Sequence, residues 1–525
     1  MELWLKPGIV SYPQTKSPAK RWQTLIVLGA WALSLLACAG GPQVLTPVPT
    51  YDLGVGGLDT PAAGTPQVTP SVYFLAYTPA PTKTPTVPTT PRPPLLYTTQ
   101  AGDSLSALAT RFGVTPDQID PLQGLPVEGF IDPGLILVIP DVLTECQVMA
   151  QALPDSEVIY SATALDFDLP AYVTAAGGYL STYKEYLSDG WYNGAQVVAR
   201  VALENSINPR LLLAIVEYQS HWVRGQPQSL AETNYPAGNI DFNQRGLYHQ
   251  LTWAARQLSV GYYGWRLGNL ITLDFPNGET RRLWPEVNAG TVGLLYLLSR
   301  TYEPLAWAGA AYGTESLSLL YEEMFGSPWQ RAQTVEPLLP AGFAQPPLEL
   351  PFSPGLPWVY TGGPHPAWGT GTPLGALDFA PPSNERSCEA SIYWVTAAAP
   401  GLVTRSDQGL VVVDLDGDGS EQTGWVILYL HIATVGRVPA GEWLDQDEQI
   451  GHPSCEGGSA TGRHVHMARK YNGEWMIADG PAPFVLSGWR AVQGEQNYEG
   501  LLVRDGVIVT ASTVGSVEAV IVRAK

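Results

Sequence analysis

At 525 residues the chain is too long for one ordinary domain, and about two to four are expected. A formal charge of −20 leaves nothing basic enough to neutralise phosphates, which argues against nucleic acid as a partner. Four cysteines are too few for a disulfide-built scaffold, and 17 tryptophans with 25 tyrosines are compatible with stacking on sugars, although packing accounts for most such rings.

Taken from the N-terminus, Lys16, Lys20 and Arg21 precede an apolar run from Leu25 to Ala37 that ends Leu35-Leu36-Ala37-Cys38. The run is about 13 residues, short of the roughly 20 that a membrane-spanning helix needs. A charged flank, a short apolar core and a small residue before a cysteine read as a secretory signal over 1–38. The ending resembles a bacterial lipobox, which implies lipidation of Cys38 and an extracytoplasmic protein anchored to the membrane or envelope; a plain signal peptide with an incidental cysteine is the alternative. Residues 39–95 are dense in Pro, Thr and Gly, with Thr-Pro recurring from Thr78-Pro79 to Thr90-Pro91. Such a segment cannot bury enough apolar surface to offset its ordering entropy, and it reads as an extended, semi-rigid tether.

Residues 96–141 are compact in pattern. Gln100-Ala101-Gly102-Asp103-Ser104 leads into Leu105, Leu108, Ala109 and Phe112, a helical spacing with Asp103 or Ser104 as N-cap. A second short helix is expected after Thr115-Pro116, and Pro133 to Pro140 reads as a strand. The Ala-Gly-Asp-Ser-Leu opening and the Pro-Gly-x-x-Leu-x-Ile-Pro close resemble the lysin motif (LysM), a βααβ module, and imply binding of N-acetylglucosamine-containing glycan.

Helical periodicity dominates residues 160–335. Its clearest segment runs from Ile207 to Ser220, with Pro209 where a first helical turn tolerates it. Pro-x-Leu-x-x-Ala-Ile followed by a Glu-Ser position is similar to the catalytic helix of lytic transglycosylases, but here Gln219 stands where the acid belongs. An amide cannot act as the general acid of glycosidic cleavage, and Glu217 lies about 200° away around a helix. The expectation is a lysozyme-like helical domain kept for binding or spacing. A Pro-rich linker over 336–357 follows.

The last stretch, 358–525, holds five of the seven histidines. Val465 to Tyr471, then Asn472-Gly473, then Glu474 to Ile477 is a type I′ hairpin pattern. Alternation along a strand projects His464 and His466 to one side, which suits a metal site in which one ring ligates and its neighbour acts on substrate. Upstream stand Gly362-Gly363-Pro364-His365, Leu377-Asp378 and Tyr429-Leu430-His431, and Cys455-Glu456-Gly457-Gly458-Ser459 leads to Thr461-Gly462-Arg463-His464-Val465-His466. This set resembles the lysostaphin-type zinc endopeptidases, and their β-lytic (staphylolytic) branch in particular. The resemblance implies that His365, Asp378 and His466 hold zinc and that His431 and His464 are unligated catalytic histidines. It also implies peptidoglycan, with its peptide cross-links, as substrate. A rival within the same fold is a non-catalytic wall-binding or regulatory protein. Non-haem iron oxygenases share the ligand types, but they favour a tight His-x-Asp and lack His-x-His.

Three other features stand apart. Asp414-Leu415-Asp416-Gly417-Asp418-Gly419 resembles the start of a calcium loop, yet Trp425 occupies the closing position, so an acidic hairpin tip is the preferred reading. The family carries a bonded cysteine at the Cys455 position; Cys388 is a candidate partner whose pairing the sequence leaves open, with Cys146 left over. His452 matches no family site and is expected at the surface. The expected architecture is multidomain: a small α+β module, an all-α lysozyme-like middle domain and a mainly antiparallel β domain at the C-terminus.

Overall fold

A computed structural model describes residues 92–143, 146–382 and 387–524, all within one compact unit, Pro88–Lys525. The signal segment, Cys38 and nearly all of the Pro/Thr-rich tether lie outside the described residues. Among the described residues no helix is long and apolar enough to cross a membrane.

The first module pairs Leu95–Thr98 antiparallel with Ile136–Ile139. Its helix, Leu105–Phe112, starts at Ser104, whose side chain accepts from the Ala107 amide, and stops at Gly113 in the left-handed region. The second expected helix is only a 3₁₀ turn, Pro116–Gln118, because Asp120 is already paired with Val138 in the sheet direction. Asp103 and Arg111 form a buried ion pair at 2.7 Å. The Arg111 guanidinium also donates to the Trp265 carbonyl, which docks the module on the helices that follow.

The middle region is mainly helical rather than all-α. Its frame is the helix Leu247–Arg266 packed on Ala289–Thr301, where a side chain at Gly261 would meet the Gly293 backbone at 2.7 Å. Pro209–Ser220 begins as the sequence suggests, with Pro at the first turn and the Asn208 side chain capping the Arg210 amide. Two hairpins interrupt the helices, Lys184–Leu187 with Gly190–Asn193 and Thr272–Asp274 with Thr280–Arg282. Ser188-Asp189 and Asn277-Gly278 lie in their turns, short enough to be lost in the surrounding helical pattern.

The C-terminal region is built on a large antiparallel sheet, beside which lie a four-stranded sheet over 485–510 and a two-stranded pair. Across the large sheet the strands run Trp443–Leu444, Gly401–Asp407, Leu410–Asp414, Trp425–Leu430, Val465–Tyr471, Leu374–Ala380, Pro357–Pro366 and Val520–Val522. The central strand turns through Asn472 (φ 49°) and Gly473 (φ 83°) to pair with Glu474–Trp475, the expected hairpin. Alternation sorts the sheet into two faces. Val411, Val413, Ile427, Val465, Met467, Leu377 and Phe379 point into the region's own core, joined by Leu348, Leu350 and Phe352 from the Pro-rich segment. Leu410, Val412, Val426, Leu428, Leu430 and Ala468 point the other way, into a core shared with the helices.

Candidate metal centre

Three neighbouring strands bring the predicted residues together. His466 lies directly opposite Asp378, and Gly362 opposite the same aspartate one strand further on. The paired glycines before His365 are set by crowding. A side chain at Gly362 would meet the Asp378 carboxylate at 2.6 Å, and one at Gly363 the Glu499 carbonyl at 2.3 Å. His431 caps the strand Trp425–Leu430 at a positive φ of 67°, unusual for a residue with a Cβ. It is held there by Ser454, whose amide (2.7 Å) and hydroxyl (3.1 Å) both donate to its carbonyl. His464 sits just before its strand begins, bridged to Ser454, with its ring on the same side as His466.

The ring tautomers follow from backbone carbonyls, which can only accept. His365 Nδ1 donates to Gly363 O at 2.8 Å, and His466 Nε2 donates to Ala367 O at 3.1 Å. The unprotonated nitrogens, His365 Nε2 and His466 Nδ1, therefore face each other at 3.0 Å. Asp378 Oδ1 stands 3.2 and 3.3 Å from them, buried and without a hydrogen bond of acceptable geometry. Three lone-pair donors converge on one point with no proton assigned between them. A tetrahedral zinc with bonds of about 2.0–2.1 Å sets its ligand atoms roughly 3.3 Å apart, so the donor set fits such an ion. Each imidazole's second nitrogen is fixed by a carbonyl, the usual support of a ligating histidine.

The other two histidines approach from the side. His431 Nδ1 donates to Glu456 O (2.9 Å) and His464 Nδ1 to Gly462 O (2.8 Å), so both turn Nε2 toward the cluster. Their rings lie 4.5 Å apart, and His464 Nε2 is 3.7 Å from Asp378 Oδ2. Burial, then the neighbouring His464 and His466, pushes the His431 pKa down to about 4, so that ring is neutral near pH 7. Burial opposes the charge on Asp378, but His365 and His464 outweigh it and hold the carboxyl well below its usual range. For His365 burial is the largest influence and works against protonation, but the Asp378 charge, its hydrogen bond and the Gly363 carbonyl together outweigh it, so the net shift is upward.

Sequence reading missed one ring at the site. Tyr498 stacks on His365 at 4.2 Å, from a loop whose own sequence carries no motif. Cys388 and Cys455 are joined by a disulfide, one residue before the Glu456 that orients His431, while Cys146 is free. His452 is half-buried against Trp394 rather than fully at the surface. Asp414, Asp416 and Asp418 do gather at the tip between two strands, where the Asp414 carboxylate accepts from the amides of Asp416 and Gly419. In the helical region Gln219 is spoken for, its amide oxygen accepting from the Tyr302 hydroxyl at 2.9 Å.

Residues 151–338 match the model of the LasA N-terminal domain, and residues 97–140 match the LysM domain. Protease LasA of Pseudomonas aeruginosa (strain UCBPP-PA14) is 27% identical over 383 residues, covering 68% of this chain and 82% of that protein. The β-lytic metalloendopeptidase of Achromobacter lyticus is 28% identical over 160 residues, 29% of this chain and 40% of that one. A solved structure, the M23 metalloprotease pseudoalterin from the deep sea, is 27% identical, covers 32% of this chain and 96% of its own, and has a TM-score of 0.27. The chain is thus a homologue of protease LasA that carries a LysM domain, and its C-terminal region fits a peptidase domain. The helical stretch aligns with a domain of that protease, whereas the transglycosylase resemblance rests on the helix Pro209–Ser220 and a vaguer likeness at Asn288-Ala289-Gly290-Thr291-Val292.

Proposed function

We propose that the chain is a zinc metalloendopeptidase that hydrolyses peptide bonds in peptidoglycan, brought to its substrate by a glycan-binding LysM module. The observation that carries this is the convergence of three proton-free donors, His365 Nε2, His466 Nδ1 and Asp378 Oδ1, 3.0–3.3 Å apart in a buried floor. In this reading those three hold zinc, which supplies Lewis acidity for the scissile carbonyl and lowers the pKa of water to about 7. His431 and His464 do the proton work. Neutral His431 offers Nε2 as an acceptor, its ring fixed by the Glu456 carbonyl. His464, held by the Gly462 carbonyl, turns Nε2 to the same space, where it can take up the proton released by the attacking water and, once protonated, pass it to the leaving amine. Tyr498, over the outer face of His365, limits how that ring can tilt.

The same reading places Cys38 as a lipidated residue, with the Pro/Thr-rich stretch as a tether and the protein outside the cytoplasm. It takes the helical region, lysozyme-like in one helix, as inert toward glycosidic bonds, since Gln219 replaces the acid.

The test is mass analysis of fragments released from purified peptidoglycan by the zinc-loaded chain. New amino termini at stem or cross-bridge peptides are expected, released about 10²–10⁴-fold more slowly by the His464→Ala variant. A wall that is bound without any new terminus would leave the non-catalytic wall-binding protein.

A further inference from the structure

The hairpin of Lys184–Leu187 and Gly190–Asn193 has two unlike faces. Residues two apart along a strand, and those directly opposite across the pair, share a face. Glu185 and Tyr192 are opposite each other and turned inward. Glu185 accepts from the Tyr248 amide (3.0 Å), and the Arg200 guanidinium lies over the Tyr192 ring at 5.2 Å. The other face carries Tyr186 opposite Trp191 and Lys184 opposite Asn193. Tyr186 is 63% exposed and Trp191 70%, their rings edge to face with centroids 5.5 Å apart. Among the described residues neither the Tyr186 hydroxyl nor the Trp191 indole N–H has a hydrogen-bond partner.

The hairpin is anchored at its tip, which fixes where the rings stand. Asp189, in the turn, accepts from Arg200 through both carboxylate oxygens (2.9 Å each), from the Tyr192 hydroxyl (3.0 Å) and from the Gln408 side-chain amide (2.6 Å). Gln408 in turn abuts the loop beside the metal centre. A side chain at Gly457 would run into the Gln408 carbonyl, and the Glu456 carbonyl just before it orients His431. Two large rings held out in water point to a ligand rather than a core. Together they expose roughly 300 Å², well short of the about 800 Å² that a protein partner covers on each side. A pyranose ring suits them better. Its C–H face stacks on the electron-rich ring faces, and its hydroxyls can meet the unpaired phenol and indole N–H. Lys184 and Asn193, exposed on the same face, offer a cation and an amide to the carboxylate and N-acetyl groups of a wall glycan.

We propose that Tyr186 and Trp191 form a stacking platform for the sugar rings of a wall glycan, with Lys184 and Asn193 at its rim. The proposal rests on the peptidoglycan reading of the metal centre and extends it from the peptide to the sugars of the same substrate. It is a second glycan site, apart from the LysM module, and it stands where the hairpin tip meets the His431 side of the centre.

The test labels the full chain with 5-fluorotryptophan and assigns the Trp191 fluorine line as the one missing from Trp191→Phe. The probe is a β-1,4-linked N-acetylglucosamine tetramer. The Trp191 line is expected to shift saturably as sugar is added. Tyr186→Ala is expected to raise the midpoint roughly fivefold, and Tyr186→Phe, which keeps the ring, to leave it near the parent value. A line that stays still throughout would overturn the platform. So would a line that moves with protein concentration alone, which would give the face to a second copy of the chain. Hydrolysis of a wall peptide, free and linked to a glycan tetrasaccharide, separates this from the peptidase reading. Tyr186→Ala is expected to raise KM for the linked peptide roughly fivefold and to leave kcat and the free peptide unchanged. Sugar binding with neither peptide cut would keep the platform and overturn the peptidase. Both peptides cut, with the Trp191 line still, would overturn the platform and keep the peptidase.

Discussion

Two buried carboxylates, Glu217 in the helical region and Asp378 in the sheet, are about equally hidden from solvent and differ in everything else. Glu217 is saturated: one oxygen accepts the amides of Val223 (2.9 Å) and Arg224 (3.0 Å), the other the Arg224 side chain (3.3 Å). Asp378 instead presents an oxygen with no hydrogen bond to two imidazole lone pairs. A closed hydrogen-bond set is what a framework carboxylate needs, because its charge is already compensated. An open one, kept buried by three strands, makes sense only with a cation or a proton in its midst. The contrast separates a carboxylate that holds shape from one that the proposed chemistry would use.

The largest effect breaks the contrast outright. Asp378→Ala is expected to lose zinc and all hydrolysis, because two histidines alone make a weak site; Glu217→Ala should cost about 1–3 kcal/mol of stability and leave the zinc in place. Metal analysis and thermal unfolding of the two variants side by side check this. Next in size, His431→Ala is expected to lower turnover about 10²–10⁴-fold, and the His431→Ala/His464→Ala double variant to lose less than the product of the two single losses, if the rings act as a unit. Turnover of a defined wall peptide measures it.

A smaller effect concerns the ground between the regions. Burial first, then the neighbouring Asp155 charge, pushes the Glu336 pKa up from 4.5 to about 7. A folded-state pKa above the unfolded value means that the stabilisation is complete below about pH 4.5 and is lost as pH rises through about 7. Glu336→Gln should therefore flatten the fall in Tm over that window relative to the parent. Smallest of all, Gln219→Glu is expected to yield no glycan cleavage, since Tyr302 already occupies that position's side chain; anhydro-sugar ends in a wall digest would contradict it.

The convergence of His365, Asp378, His431, His464 and His466 was legible in the sequence because each sits in a short local motif: glycines before His365, a strand end at His431, alternation at His464 and His466. The LysM pattern was legible for the same reason, apart from a second helix cut to a 3₁₀ turn by Asp120 joining Val138. What stayed hidden was relational. Leu428, Leu430 and Val412 read only as strand residues, and nothing local says that their outward face is covered by helices encoded some two hundred positions earlier. Glu474 likewise reads as a hairpin residue until Arg266 and Tyr262 are seen to close on it. Tyr498 belongs to this group, since its place over His365 is set by a long excursion of chain. The two hairpins of the helical region were hidden differently, by short turns at Ser188-Asp189 and Asn277-Gly278 lying within helical periodicity.

The central claim is that His466 holds the metal while His464, two residues away on the same side, does not. Zinc per chain by mass spectrometry, paired with turnover of a defined wall peptide on the same preparations, tests it directly. His466→Ala is expected to lose both metal and turnover; His464→Ala is expected to keep about one zinc per chain while turnover falls about 10²–10⁴-fold. Equal zinc loss in the two variants, or full turnover in His464→Ala, would contradict the account.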